Sequence, residues 1–344
     1  MKRHISFFFL TLAALLLSAA CQSGAGTYAR IEGFAQGGTY HVICRLPRGC
    51  RQQAVADSID NILAGIDRSL SGYNKGSLLS RINAGEDLPL DGHFIVTFNR
   101  SVEVWNESDG AFDPSAAPLF DLWGFGFEEK DAGEADAAID SIKAFVGMDL
   151  FSIEERDDGP HLVKADPRAK LNFNAIAQGY SCDTIARWLA ARGCTDYLVE
   201  VGREIVCRGM SSRGGPWRVG LDKPIDGNMD EGKDLQEIID VTDQGIVTSG
   251  NYRKFYIRDG QKYAHTIDPS TGRPVTHNLL SATVLAVDAT AADAYATWFM
   301  VAGPEKAAAI AGSKPGIEAY LIYAQDDSMK VIHTDGIKLE NNQQ

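Results

Sequence analysis

The sequence predicts an α+β protein whose helices and strands interleave within one domain, residues 33–340. Three observations predict it. Val55, Ile59, Ile62, Leu63, Ile66 and Leu70 keep helical spacing over residues 52–70, and a second long helix is expected at 94–107. Short strand-like runs recur to the C-terminus, among them 38–44, 197–201, 204–208, 217–222, 281–287, 319–323 and 330–333. No repeat, low-complexity linker or Pro/Ser-rich joint divides the mature chain.

The 344 residues are 44% hydrophobic, enough for a substantial core. The first residues read as a targeting segment. Lys2 and Arg3 precede an apolar run from Ile5 to Leu17, which ends at Leu17-Ser-Ala-Ala-Cys21. The run is shorter than the ~20 apolar residues of a membrane span. The expectation is a lipoprotein signal peptide at 1–20, a lipidated Cys21, and a tether over 21–32. The competing reading is an ordinary signal peptide with a chance cysteine. Loss of residues 1–20 removes two cations and no anion, taking the net charge from −13 to −15. Such a surface repels nucleic acid and anionic lipid. A phosphate-bearing ligand needs a metal cation or a local cluster of donors.

Cys44, Cys50, Cys182, Cys194 and Cys207 form an odd set beyond Cys21. An oxidising compartment would permit a Cys44–Cys50 bridge. No CxxC or Cys/His spacing suggests zinc.

In chain order, a polar loop at Ser71-Gly-Tyr-Asn-Lys-Gly-Ser77 leads into a short helix, 77–83. The two prolines within 110–119 predict ordered loop rather than helix. Residues 128–140 read as an acidic, solvated stretch. Leu171-Asn-Phe-Asn174 alternates like a strand, turns at Ala175–Gly179, and enters a helix stopped by Gly193. Gly245–Gly250 leads to a strand at 255–258 and an Asp259-Gly260 hairpin turn. An apolar helix spans 290–301, opened by Thr290 as N-cap and ended near Gly303.

Several groups carry chemistry. The small-residue turn after Leu171 can admit a ligand to a helix N-terminus, or can serve packing alone. Asp293 and Thr297 share one face of an otherwise apolar helix. A carboxylate there is costly unless paired or bound to a cation, and an oxygen-only set suits Mg²⁺; local capping is the alternative. His265 stands between a strand and Asp268-Pro-Ser-Thr-Gly272, where reactive groups are often placed. Thr248-Ser-Gly250 puts two hydroxyls on an apparent turn. Tyr73 can stack on a planar ring or lie as an ordinary surface tyrosine.

Together these pieces resemble the ApbE family of flavin transferases, FAD:protein FMN transferases that are often periplasmic lipoproteins. The matching stretches are Gly38-Thr39; Ser71-Gly-Tyr73 with Ser77 and Asn83; Asp109-Gly-Ala-Phe-Asp-Pro114 with Leu122-Trp-Gly124; Asn174-Ala-Ile-Ala-Gln-Gly-Tyr180 with Asp183; Val247-Thr-Ser-Gly250; His265-Thr-Ile-Asp-Pro269 with Thr271-Gly272; and Ala292-Asp-Ala-Tyr-Ala-Thr297. Each is weak alone; their order over 33–312 is the signal. The resemblance implies a mixed or antiparallel sheet core with flanking helices. It implies that Asp293, Thr297 and the Ala175 carbonyl hold Mg²⁺. Tyr73, Ala111, Phe112, Asp113, Asn172 and Gln178 would contact FAD as substrate, and His265 would stand beside the pyrophosphate as the catalytic group.

The implied reaction moves FMN from FAD to a Thr or Ser hydroxyl of an acceptor protein, a membrane redox-complex subunit, and releases AMP. The alternatives are an Mg²⁺-dependent FAD pyrophosphatase or a non-catalytic flavin-binding lipoprotein. Splitting a pyrophosphate needs charge neutralisation and in-line positioning, which Mg²⁺ supplies. His265, near an unperturbed pKa of about 6.5, would take the hydroxyl proton or steady the phosphate. Three residues depart from the family's pattern: Asn172 for Asp, Gln178 for Lys, and Arg203 where Gly-Gly-Glu is usual. A second Gly implies positive φ or close ligand approach, and Arg strains that backbone or fills the space; the alternative is that its guanidinium serves the phosphates.

Overall fold

The computed structural model describes residues 27–127, 135–226, 228, 232–258 and 260–340. The expected signal peptide, Cys21 and the first residues of the tether lie outside the described residues, as do 128–134 of the acidic stretch and Asp259 of the hairpin turn.

An eight-stranded antiparallel sheet organises the molecule. Its strands are β1 (Tyr28–Ala35), β2 (Gly38–Arg45), β5 (Tyr197–Val201), β6 (Glu204–Arg208), β9 (Gln244–Gly250), β14 (Leu279–Ala286), β15 (Glu318–Gln325) and β16 (Ser328–His333), in that spatial order. Four hairpins accompany it: β3 (Phe151–Arg156) with β4 (Gly159–Lys164), β7 (Trp217–Asp222) with β8 (Leu235–Val241), β10 (Phe255–Arg258) with β11 (Gln261–Ala264), and β12 (Ile267–Asp268) with β13 (Arg273–Pro274). The helices are α1 (Gln52–Leu70), α2 (Leu78–Asn83), α3 (Gly92–Glu107), α4 (Ala117–Leu122), α5 (Ala135–Lys143), α6 (Ala177–Ala191), α7 (Ala289–Ala302) and α8 (Pro304–Ser313).

Both faces of the sheet are covered, so its central strands are largely apolar, with only small hydroxyl residues among them in β14. Val42, Val247, Val284 and Leu321 face helices α1, α6, α7 and α8. Their neighbours Ile246, Leu285 and Ile322 face Trp217, Val219 and Ile239 of the β7–β8 hairpin. Helix α7 is the most enclosed: Asp293 and every residue from Ala289 to Ala296 are buried. Truncating its fully buried Phe299 to Ala would cost about 3–5 kcal/mol.

Several expectations change. Strand β1 starts at Tyr28, inside the expected tether, because Ala29 and Ile31 bury against α1 while the strand pairs with β2. Residues 110–119 are not all loop: α4 begins at Ala117, and Pro118 sits in its first turn, where a missing N–H costs nothing. The acidic stretch continues into α5, whose Ile139 packs beside Leu119. Leu171–Asn174 is not a strand. Leu171, Asn172 and Phe173 are buried together, and Asn83 fixes the segment by donating to the Leu171 carbonyl and accepting its N–H. Helix α7 is capped by Asp288, which accepts from Ala291 N at 2.7 Å; Thr290 lies inside it. Thr248 and Ser249 belong to β9, not to a turn. The described cysteines are all free, and Cys44 is buried while Cys50 is exposed.

Candidate functional site

Six separated segments converge on one cavity of about 370 Å³. Helix α7 contributes Asp293 and Thr297; the segment leading into α6 contributes Asn172 and Ala175, and the first turn of α6 Gln178; the β5–β6 turn contributes Arg203, and β6 its first residue, Glu204. Ala111, Phe112 and Asp113 line a second wall, and Thr248, Lys254 and His265 a third.

The α6–α7 crossing sets the first wall. A Cβ on Gly179 would lie 2.3 Å from the Ala289 carbonyl oxygen, so only glycine permits this approach. The Gly179 N–H donates to Asp293 Oδ2 at 3.1 Å, in place of the Ala175 carbonyl four residues back. Asp293 is 4% exposed, and burial pushes its carboxyl up to about 7 against the pull of that hydrogen bond. Asp183 is buried beside it but accepts from Ala289 N, Thr290 N and Thr290 Oγ1 at the start of α7. Burial and then Asp288 still raise it to about 6.

The second wall is tied to the first. Asn172 N–H donates to the Pro114 carbonyl at 2.8 Å, and Asn172 Oδ1 accepts from Asn174 N. Asp113 accepts from Ser115 and from Trp105 Nε1, while burial raises its carboxyl to about 6.

His265 follows β11 and is half-buried. Its Nδ1 lies 3.2 Å from the Lys254 carbonyl, which can only accept, so Nδ1 carries the proton and Nε2 keeps a free lone pair. Burial, then the Lys254 ammonium, pushes the imidazole down to about 4, below the 6.5 expected from the sequence. An aromatic series backs it: Phe125 meets the His265 ring edge-on at 6.4 Å and stacks on Tyr256, which stacks on Tyr263 and then Trp123. Trp123 Nε1 donates to the Gly272 carbonyl, joining two motifs 149 residues apart.

Tyr73 does not line the cavity. It is 58% exposed at the rim, edge-on to Phe127, and accepts from Nδ2 of the cavity residue Asn174 at 3.2 Å.

The β5–β6 turn explains the departure at Arg203. Val201 pairs with Glu204, leaving a two-residue loop with φ +64° at Gly202 and +90° at Arg203. Two positive values define a type I′ turn, for which Gly-Gly is favoured. A Cβ at Gly202 would also stand 2.0 Å from Gln178 Nε2. Glu204, next in the chain, was not singled out from sequence. Its Oε2 is buried without a hydrogen-bond partner among the described residues. Lys254 was missed too: its charge acts on His265, and no local motif marks it.

The fold is that of solved flavin transferases, on which the chain superposes over most of its length. The ApbE family model matches residues 26–321. The FAD:protein FMN transferase of Escherichia coli K12 is 36% identical over 284 residues, 81% of this chain and 80% of that protein. The enzyme of the same name from Vibrio cholerae O395 is 33% identical over 96% of this chain and 97% of its own. The Vibrio cholerae flavin transferase ApbE structure superposes with a TM-score of 0.78 at 31% identity, over 90% of this chain and 97% of that one. The apo Pseudomonas stutzeri flavinyl transferase ApbE gives 0.80 at 31% identity, over 90% and 96%. The chain belongs to the ApbE family.

Proposed function

We propose that this protein transfers FMN from FAD to a Thr or Ser hydroxyl of an acceptor protein and releases AMP, with Mg²⁺ in the cavity. The carrying observation is that Asp293, Thr297 and Ala175 line the same cavity as His265, in a member of this family. Among the described residues, no three His, Cys, Asp or Glu side chains could hold a metal together. A site of one or two carboxylates completed by hydroxyl, carbonyl, water and substrate phosphate fits Mg²⁺ and not zinc. Bound there, Mg²⁺ would neutralise pyrophosphate charge.

The chain's own residues supply the rest. Asp113, Phe112, Asn172 and Gln178 would hold the dinucleotide, with Tyr73 covering the flavin at the rim. The acceptor oxygen bonds to the FMN phosphorus as the P–O bond to AMP breaks, and AMP leaves with the electron pair. The hydroxyl proton passes to His265 Nε2, which is the lone pair that the Lys254 carbonyl leaves open. The leader and Cys21 support a lipid anchor on the periplasmic side of a membrane, and hence a membrane redox-complex subunit as acceptor.

The test mixes purified protein, FAD, Mg²⁺ and a candidate periplasmic acceptor and reads in-gel flavin fluorescence. A fluorescent acceptor band that EDTA abolishes is expected. No covalent flavin on any acceptor would overturn the reading, and FMN with AMP formed without acceptor would replace it with a pyrophosphatase.

A further inference from the structure

We propose that Glu204 is a second carboxylate ligand, beside Asp293, for the divalent cation of the cavity, an inference that rests on the metal-dependent reading above. Glu204 and Asp293 line the same cavity. The surroundings treat the buried carboxylates unequally. Asp183 receives donors from the start of α7, and Asp293 receives the Gly179 N–H. Glu204 Oε2 receives none among the described residues.

A buried carboxylate oxygen without a donor is costly unless a cation meets it. Burial, and after it the Asp293 carboxylate, drives Glu204 well above its ordinary range; a hydrogen bond from its own backbone N–H and then the Arg203 guanidinium offset this only in part. The β5–β6 turn aims the residue. With Gly202 flush against Gln178, the first position of β6 is held at the α6–α7 crossing, where Cys182 Sγ donates to the Glu204 carbonyl at 2.9 Å. Two carboxylates with Thr297 and a backbone carbonyl form an oxygen set of the size Mg²⁺ or Mn²⁺ takes before water and phosphate complete it.

The test measures Mn²⁺ binding to the whole mature protein, with FAD present and acceptor absent, by loss of the free-ion EPR signal. Glu204→Gln is expected to weaken binding at least tenfold, and Glu204→Asp less. Binding within twofold of wild type for Glu204→Gln overturns the inference while leaving the transferase reading intact. Should the substituted chain not fold, wild type labelled with ¹³C at glutamate carboxyls gives the same answer: Mn²⁺ ENDOR must show a glutamate ¹³C coupling, and its absence overturns the inference. Wild type that binds no Mn²⁺ with FAD removes the metal reading as well.

Discussion

Gly179 and Asp293 meet by a single hydrogen bond, N–H to Oδ2 at 3.1 Å, that joins the first turn of α6 to the middle of α7. The contact places a carboxylate where two chain segments 114 residues apart leave no room for a side chain. Gly179→Ala is therefore expected to destabilise by about 2–3 kcal/mol, since the Ala289 carbonyl cannot move without disturbing α7. Urea unfolding checks this; a loss below about 0.5 kcal/mol would show that the crossing relaxes freely.

Asp293→Ala is expected to lower Mg²⁺-dependent transfer by about a thousandfold, equivalent to about 4 kcal/mol. The fold should persist, because the substitution removes a buried charge. Differential scanning fluorimetry should lose the Mg²⁺-induced rise in melting temperature, and unchanged transfer would remove the metal site from Asp293.

Stability should depend on pH with a sign set by the site. Asp293 is raised to about 7, and Asp113 and Asp183 to about 6. Between about pH 4 and 7 the folded chain thus binds protons that the unfolded chain has released, and stability falls as pH rises through that window. His265, lowered to about 4, acts in the opposite sense between about pH 4 and 6.5, but it is one group against these three and Glu204, which burial raises as well. Without metal, the protein should lose stability from pH 5 to 8, and Mg²⁺ should stabilise more at pH 8 than at pH 6. A metal-free curve that rises across that range would contradict the burial of these carboxylates.

The imidazole of His265 should titrate near pH 4 in the free protein, followed by ¹H–¹³C NMR of its ring signals. A midpoint at 6.5 or above would mean that Lys254 and burial do not govern it, and that the ring enters the reaction partly charged.

Arg203→Gly is expected to stabilise by about 1 kcal/mol, because φ of +90° is costly for any residue with a Cβ. Chemical denaturation reads the change. Destabilisation instead would show that the guanidinium's interactions outweigh the backbone strain.

Local order was legible in the sequence wherever one period dominated. The stripe from Val55 to Leu70 gave α1 to the residue, and Gly303 ended α7 at φ +82°. Where burial was complete on all sides the period vanished: Leu171, Asn172 and Phe173 are buried alike, and their alternation did not make a strand. The site was legible as separate motifs, and the cavity does gather Asp293, Thr297, Ala175 and His265, while Tyr73 stays at its rim. Their ordered spacing along the chain carries the family resemblance.

By itself the sequence determined the α+β class, the boundaries of its strongly periodic elements, the acidic surface and the family. Those follow from short-range pattern and from composition, which one chain carries in full. Only the tertiary structure decided that Glu204 Oε2 has no donor among the described residues, that burial and Lys254 push His265 down and Phe125 backs it, and that Arg203 occupies a turn made for glycine. Desolvation, hydrogen-bond donors and backbone sign depend on what distant segments bring alongside, and no local spacing encodes them.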